Sequence, residues 1–300
     1  MNLNDYPLWT AIVTPLKENG DLDLESLGLL LKEQEDAKNG ILVLGSTGES
    51  LNLTLEEKKT ILDFTLKQNL NVPLMVGVGG ANHVATREWV QYLNALAIHA
   101  VLMVTPLYAK PETEGQYLWF KSLMDTTDHQ VMLYNVPSRT GKAMSFDVVK
   151  RLSSHDKFWA IKEASGSVED FKKYSESCNE KRVYSGDDGM LPAFKEHGCS
   201  GLVSVSSNAW PAATNLYVEQ TLNGTLSKED ASLWDACAAA LFCVSNPIPV
   251  KRLLSEEKRI GTPELKLPLS RKDLSQAATV LEASSRINDW YKKQTEEKSS

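Results

Sequence analysis

Phe158-Trp159-Ala160-Ile161-Lys162-Glu163-Ala164-Ser165-Gly166 begins as an apolar run, closes on a lone lysine and falls into a small-residue turn. A run this short, bounded by turn residues, reads as a buried strand rather than a helix. Seven more runs of the same kind follow the chain: Leu8 to Val13, Ile41 to Leu44, Leu74 to Val78, Ala100 to Val104, Val131 to Tyr134, Arg182 to Ser185 and Gly201 to Ser204, with Phe158 to Lys162 as the sixth of eight. Amphipathic segments separate them, the rhythm of parallel strands joined by crossover helices. Eight such units within residues 1–225 predict a closed (β/α)8 barrel, the TIM-barrel architecture of the α/β class, with functional residues at the C-terminal ends of the strands. Thr54-Leu55-Glu56-Glu57 reads as a capping box, and Ser145 and Ser167 as further helix caps.

Strand alternation extends the reading to side-chain direction. Trp159 and Ile161 share one face, and Phe158, Ala160 and Lys162 the other; Val131 and Leu133 point outward, Met132 and Tyr134 inward. Lys162 and Tyr134 are thus expected to face one cavity. After residue 225 strand signals stop, and Ser227 to Val244, Pro249 to Glu257 and Lys272 to Lys293 read as three helices, making 226–300 a C-terminal helical extension. Asn246-Pro247-Ile248-Pro249-Val250-Lys251 separates the first from the second, because proline lacks an amide donor and restricts its predecessor. Thr295 to Ser300 is expected to fray.

Composition narrows the function classes. Hydrophobic residues make up 42% of the 300 and charged residues 24%, which excludes a disordered or collagenous chain. A net charge of -7, with no basic cluster interleaved with aromatics, argues against nucleic acid as a partner. The start of the chain carries no leader pattern and no apolar stretch approaches a bilayer span, so a cytoplasmic protein without membrane contact is expected. Cys178, Cys199, Cys237 and Cys243 lack paired spacing, which predicts reduced thiols, and the five histidines form no ligand pair, which predicts metal-free and cofactor-free chemistry. Gly77-Val78-Gly79-Gly80 lacks the lysine and hydroxyl tail of a phosphate loop.

The chemistry centres on Lys162 and on Tyr134, which lies 28 residues upstream and opens Tyr134-Asn135-Val136-Pro137-Ser138-Arg139-Thr140-Gly141. Burial disfavours a charged amine, making the neutral nucleophile accessible for attack on a carbonyl, and a neighbouring phenol can shuttle protons. Taken singly, each residue has a plainer reading: a lysine at a strand end snorkels to solvent, and a buried tyrosine packs with its hydroxyl satisfied. Their shared inward face is what sets the pair apart.

Gly45-Ser46-Thr47-Gly48-Glu49-Ser50, Val104-Thr105-Pro106-Leu107-Tyr108, Tyr134 to Gly141, Ile161-Lys162-Glu163-Ala164 and Ser185-Gly186-Asp187-Asp188 together resemble the dihydrodipicolinate synthase family, within the pyruvate-dependent aldolase and lyase superfamily that includes N-acetylneuraminate lyase. The resemblance covers nearly the whole chain. It implies that Lys162 forms a Schiff base with pyruvate, and that the enamine condenses with L-aspartate 4-semialdehyde to give 4-hydroxy-tetrahydrodipicolinate, a precursor of diaminopimelate and lysine. Tyr134, Ser46 and a Tyr108 reaching in from a neighbouring subunit would relay protons. Thr47, Gly186 and Val203 would line the keto-acid pocket, and Arg139 would hold the carboxylate of the semialdehyde. A homo-oligomer, tetramer or dimer, follows from the shared tyrosine.

The chain also departs from the family pattern. Ser46 stands where a threonine is common in the synthases, keeping the hydroxyl without the methyl that restricts its rotamers. Leu107 replaces a second aromatic before Tyr108. Leu55, Lys58 and Thr86 occupy positions where lysine-sensitive relatives carry two histidines and a glutamate, which predicts weak or absent feedback by lysine. The alternatives are another aldolase of the superfamily, acting on sialic acid or a 2-keto-3-deoxy sugar acid, and a barrel that binds a keto acid without catalysis.

Overall fold

The computed structural model describes residues 1–297. Eight strands, β1 (Leu8–Ala11), β2 (Gly40–Val43), β3 (Leu74–Val78), β4 (Ala100–Val104), β5 (Gln130–Asn135), β6 (Phe158–Glu163), β7 (Arg182–Ser185) and β8 (Gly201–Ser204), close a barrel in sequence order. The closed order excludes an open doubly wound sheet. Their residues are buried almost without interruption, as parallel strands between a packed interior and covering helices must be. Each strand follows its apolar run closely. β2 stops at Val43 because Leu44 enters the left-handed region at φ 57 and begins the turn that carries Ser46 and Thr47. No helix among the described residues is long and apolar enough to cross a membrane.

The chain divides into two compact units. The first, Met1–Pro7 with Pro73–Val203, contains β3 to β7 and most of β8. Its ladders align Val104 with Tyr134, Tyr134 with Lys162, and Lys162 with Tyr184. The expected alternation holds for Ala160 and Lys162 but fails at Phe158. The register between β5 and β6 slips from Val131–Phe158 to Met132–Ala160, leaving Trp159 unmatched in the manner of a bulge. Trp159 therefore does not join Ile161 against a helix. Its indole N–H donates to Asn4 Oδ1 at 3.0 Å, and its ring lies 5.6 Å from Tyr184.

The second unit, Leu8–Val72 with Ser204–Ser300, contains β1, β2 and the C-terminal helices. Helix Lys228–Ala240 inserts Trp234 among aromatics, stacked on Tyr217 at 4.3 Å and edge-on to Trp290 at 5.2 Å. The second C-terminal helix is Ile248–Glu256. The third begins at Ala278 rather than at Lys272, because Arg271–Asp273 forms a separate 3-10 turn capped by Ser270. It continues through Glu297, with the Thr295 hydroxyl donating to Tyr291 O at 3.0 Å; residues 298–300 of the expected frayed end lie outside the described residues.

The caps behave as read at Thr54, where both halves of the capping box with Glu57 are present, and at Ser167, whose hydroxyl accepts from Asp170 N at 3.1 Å. Ser145 occupies the cap position, its carbonyl accepting from Val149 N at 3.3 Å, but its side chain makes no bond to the helix. Its hydroxyl instead faces Thr113 Oγ1 at 3.3 Å, and its amide donates to Gln116 Oε1 at 2.8 Å. All four cysteines are free thiols, and burial pushes Cys178 up to about 11 and Cys199 up to about 12.

Within the first unit a buried polar network ties β5 and β6 to segment 136–145. Glu163, fully buried, accepts from Asn135 Nδ2 at 2.7 Å and from Ser165 N at 2.8 Å. Asn135 Oδ1 accepts from Met144 N at 2.8 Å, and the Tyr174 hydroxyl donates to Met144 O. Gln116 Nε2 donates to Ala143 O at 3.0 Å. The segment that carries Arg139 is thereby fixed from beneath.

Desolvation raises the Glu163 carboxyl to about 7 despite these donors, from a usual value of 4.5. The native chain thus holds this proton more tightly than the unfolded one. The associated stability is fully present below about 4.5 and is lost as pH rises through about 7. The ionised group then burdens the native state by about 3 kcal/mol. Relative to the wild type, Glu163→Gln should gain about 2 to 3 kcal/mol in urea-unfolding free energy between pH 4.5 and pH 8. Parallel stability profiles for the two proteins would refute the assignment.

Candidate active site

Tyr134 ends the apolar part of β5 and Lys162 that of β6, and the parallel ladder sets them side by side. Both are buried, at 6% and 4% exposure. The Lys162 amine lies 4.5 Å from the centroid of the Tyr134 ring, within cation–π range. The backbone carbonyl of Tyr134 accepts from Thr105 N at 3.1 Å and Thr105 Oγ1 at 3.2 Å, which anchors the Thr105-Pro106-Leu107-Tyr108 turn after β4.

Gly186 follows β7 and makes room for the lysine. A Cβ there would lie 2.7 Å from Ala164 Cβ and 2.8 Å from Lys162 Cε, closer than side-chain carbons approach. Asp187, next to it, has its carboxyl raised by desolvation, with the charge of Lys162 opposing and that of Asp188 reinforcing the shift. This acidic residue is an electrostatic neighbour of the lysine. Val203, fully buried in β8, is one position beyond Leu202, which pairs with Ser185.

Two other expected residues occupy exposed turns of the same unit. Arg139 lies on the short helical turn Pro137–Thr140, closed by Gly141 at φ 72. Tyr108 is 93% exposed and has a left-handed backbone at φ 65, an unfavourable conformation for a residue with a Cβ. The first unit therefore brings Lys162, Tyr134 and Gly186 together, whereas Tyr108 and Arg139 project from surface turns.

In the second unit, Ser46 and Thr47 sit on a turn bracketed by two left-handed residues, Leu44 at φ 57 and Glu49 at φ 56. Thr47 is buried and its hydroxyl accepts from Asn246 Nδ2 at 3.0 Å, leaving its own proton for another acceptor. Ser46 is partly exposed. The Thr14 hydroxyl donates to Gly48 O at 2.8 Å, and Glu49 N donates to Ser46 O at 3.1 Å. Gly48 is packed closely enough that a Cβ would meet Ile12 O at 3.1 Å.

Glu163, Asn135, Asn246, Glu49 and Lys251 escaped the sequence reading as functional supports. Asn246 and Lys251 stand in a segment whose prolines announced only a break between helices. Glu163 adjoins Lys162 with nothing in its own neighbourhood to mark it as buried. Glu49 likewise has no local sign in the sequence, since its partner Lys251 stands 202 positions away.

Residues 6–286 match the model of the dihydrodipicolinate synthetase family. Over 284 residues the chain is 44% identical to a 4-hydroxy-tetrahydrodipicolinate synthase of Wolbachia pipientis wMel, a match spanning 94% of this chain and 96% of that one. It superposes with a TM-score of 0.88 and 30% identity on the chloride-inhibited dihydrodipicolinate synthase of Acinetobacter baumannii complexed with pyruvate, covering 94% of this chain and 99% of that one. The TM-score is 0.89, at 31% identity, against the first monomeric dihydrodipicolinate synthase variant, covering 94% and 97% of the two chains. A barrel with a lysine and a tyrosine paired in register, matched over this span at this identity, places the chain in the dihydrodipicolinate synthetase family.

Proposed function

We propose that this chain catalyses the 4-hydroxy-tetrahydrodipicolinate synthase reaction, joining pyruvate to L-aspartate 4-semialdehyde in the diaminopimelate route to lysine. The observation that carries the reading is the buried Lys162 amine 4.5 Å from the Tyr134 ring, in a chain 44% identical to a synthase of that name. Attack of the amine on the pyruvate ketone forms a carbinolamine. Loss of water gives the imine, and loss of a methyl proton the enamine, whose carbon attacks the semialdehyde. The amino group of the condensed product then displaces the lysine and closes the ring. Tyr134 supplies and receives protons at the carbinolamine and at ring closure, assisted by Ser46.

Thr47 and the amides of its turn suit the pyruvate carboxylate, and Gly186 and Val203 the space around the imine. Arg139, on an exposed turn, suits bidentate pairing with the carboxylate of the incoming semialdehyde. The exposure and constrained backbone of Tyr108 support its role as a group offered to a second copy of the chain, so the working form is a homodimer or homotetramer. The C-terminal helices, 226–300, act as an extension of the catalytic barrel in a cytoplasmic enzyme that needs neither metal nor cofactor.

Borohydride reduction in the presence of pyruvate should leave a stable adduct on the peptide containing Lys162, with none in Lys162→Ala. Tyr134→Phe should still form the adduct but lose about 10² to 10⁴-fold in kcat. Absence of an adduct in the wild type, or N-acetylmannosamine outcompeting the semialdehyde in an aldehyde panel, would reject the assignment.

Arg139→Ala should lower kcat/KM for the semialdehyde by about 10 to 100-fold, the range expected for a charged hydrogen-bonded contact, while pyruvate adduct formation stays at the wild-type level. An unchanged kcat/KM would remove Arg139 from the substrate site. With Leu55, Lys58 and Thr86 at the positions described, turnover should persist in lysine. Half-inhibition below about 1 mM lysine, where an affinity near -4 kcal/mol begins, would contradict this reading.

A further inference from the structure

Lys251 and Glu49 form an ion pair whose side chains are both completely buried, with Nζ 2.7 Å from Oε1. The reaction chemistry uses neither residue. A buried pair is also a poor device for stability, since apolar side chains of similar volume commonly serve as well or better. Its position in the second unit suggests another use. Lys251 Nζ also donates to Thr14 O at 2.8 Å, and the Thr14 hydroxyl holds Gly48 O at 2.8 Å. Glu49 Oε2 accepts from Lys266 N at 2.7 Å, and Lys266 Nζ donates to Gly20 O at 2.8 Å and to Glu57 Oε1 at 2.5 Å. Five residues before Lys251, Asn246 donates to the Thr47 hydroxyl at 3.0 Å.

These bonds converge on the turn carrying Ser46 and Thr47. Leu44 and Glu49 at its two ends are non-glycine residues in the left-handed region, a backbone that persists only where the surroundings over-determine it. Lys251 grips the far end of the turn through Glu49 and reaches its Gly48 carbonyl through Thr14. Asn246 fixes the hydroxyl in the middle. Both come from the segment Asn246-Pro247-Ile248-Pro249-Val250-Lys251, far along the sequence.

We infer that Lys251 and Glu49 are positioning residues: their buried ion pair, with Asn246, holds the Ser46-Thr47-Gly48 turn in the shape that receives the keto-acid carboxylate, and so sets affinity for the keto acid. The inference rests on the proposed function, which makes that turn the carboxylate cradle. Lys162 and Tyr134 lie outside this turn, whereas Ser46 lies on it, so loss of the pair raises KM for the keto acid and lowers kcat only as far as Ser46 is displaced.

The test replaces both charges at once, Glu49→Gln with Lys251→Met, leaving no unpaired buried charge, and measures pyruvate KM, kcat, thermal stability and the pyruvate concentration giving half-maximal borohydride trapping. A folded double variant should show pyruvate KM and half-trapping concentration raised by at least about ten-fold, a larger factor than any fall in kcat at saturating pyruvate. Glu49→Gln alone is the second variant, which keeps the side-chain size and should also raise pyruvate KM. Asn246→Ala should raise KM in the same direction. A folded variant of the pair with wild-type KM and half-trapping concentration overturns the inference, as does one whose kcat falls while KM stays unchanged. Wild-type protein that forms no pyruvate adduct would instead overturn the functional reading on which the inference rests.

Discussion

Keeping a lysine amine out of water is the constraint around which the rest of the first unit is arranged. A buried ammonium needs either compensation or chemistry, and Lys162 has a ring face at 4.5 Å and the carboxyl of Asp187 among its electrostatic neighbours. Parallel register enforces that placement. Tyr134 and Lys162 are cross-strand partners at the last turns of β5 and β6, so neither can shift along its strand without breaking the ladder. The slip between β5 and β6 occurs further back, at Trp159, and the two strands are in step again by Ala160.

Each compact unit spends buried polar groups on holding turns rather than on filling a core. In the first, Glu163, Asn135 and Tyr174 fix the segment after β5 through Met144. In the second, Thr14, Asn246 and the Glu49–Lys251 pair fix the turn after β2. Both networks lie beneath segments bearing proposed substrate contacts, and both include left-handed residues or a desolvated carboxyl that the surrounding structure must sustain. Preorganised sites require this kind of support, because a turn free to relax would lose its alignment with the substrate.

The fold was legible because parallel strands buried on both faces read as uninterrupted apolar runs, and eight of them punctuate the first 204 residues. What escaped was whatever depends on a neighbouring strand or a distant partner. No local pattern marks Trp159 as the unmatched residue, since register belongs to the pair of strands. Ser145 has the residue type of a cap, but its hydroxyl is turned toward Thr113 instead. The reactive lysine and tyrosine were visible through their spacing and shared face, and the remaining contacts through resemblance. Glu49 and Lys251 were invisible because they meet across 202 positions, and a charged residue carries no local sign that it will be buried. The third C-terminal helix was started too early for a similar reason: Arg271–Asp273 is helical in composition but is set apart as its own turn.

Gly186 shows how an omission can do structural work. With Cε only 2.8 Å from where a methyl group would stand, the methylene stem of Lys162 runs beside bare backbone, and backbone has no rotamers with which to give way. A lysine side chain ordinarily surrenders about 2 kcal/mol of rotational freedom when immobilised. A methyl group at 186 would have to displace the arm, so the place the arm occupies beside the Tyr134 ring exists because the sequence leaves that atom out.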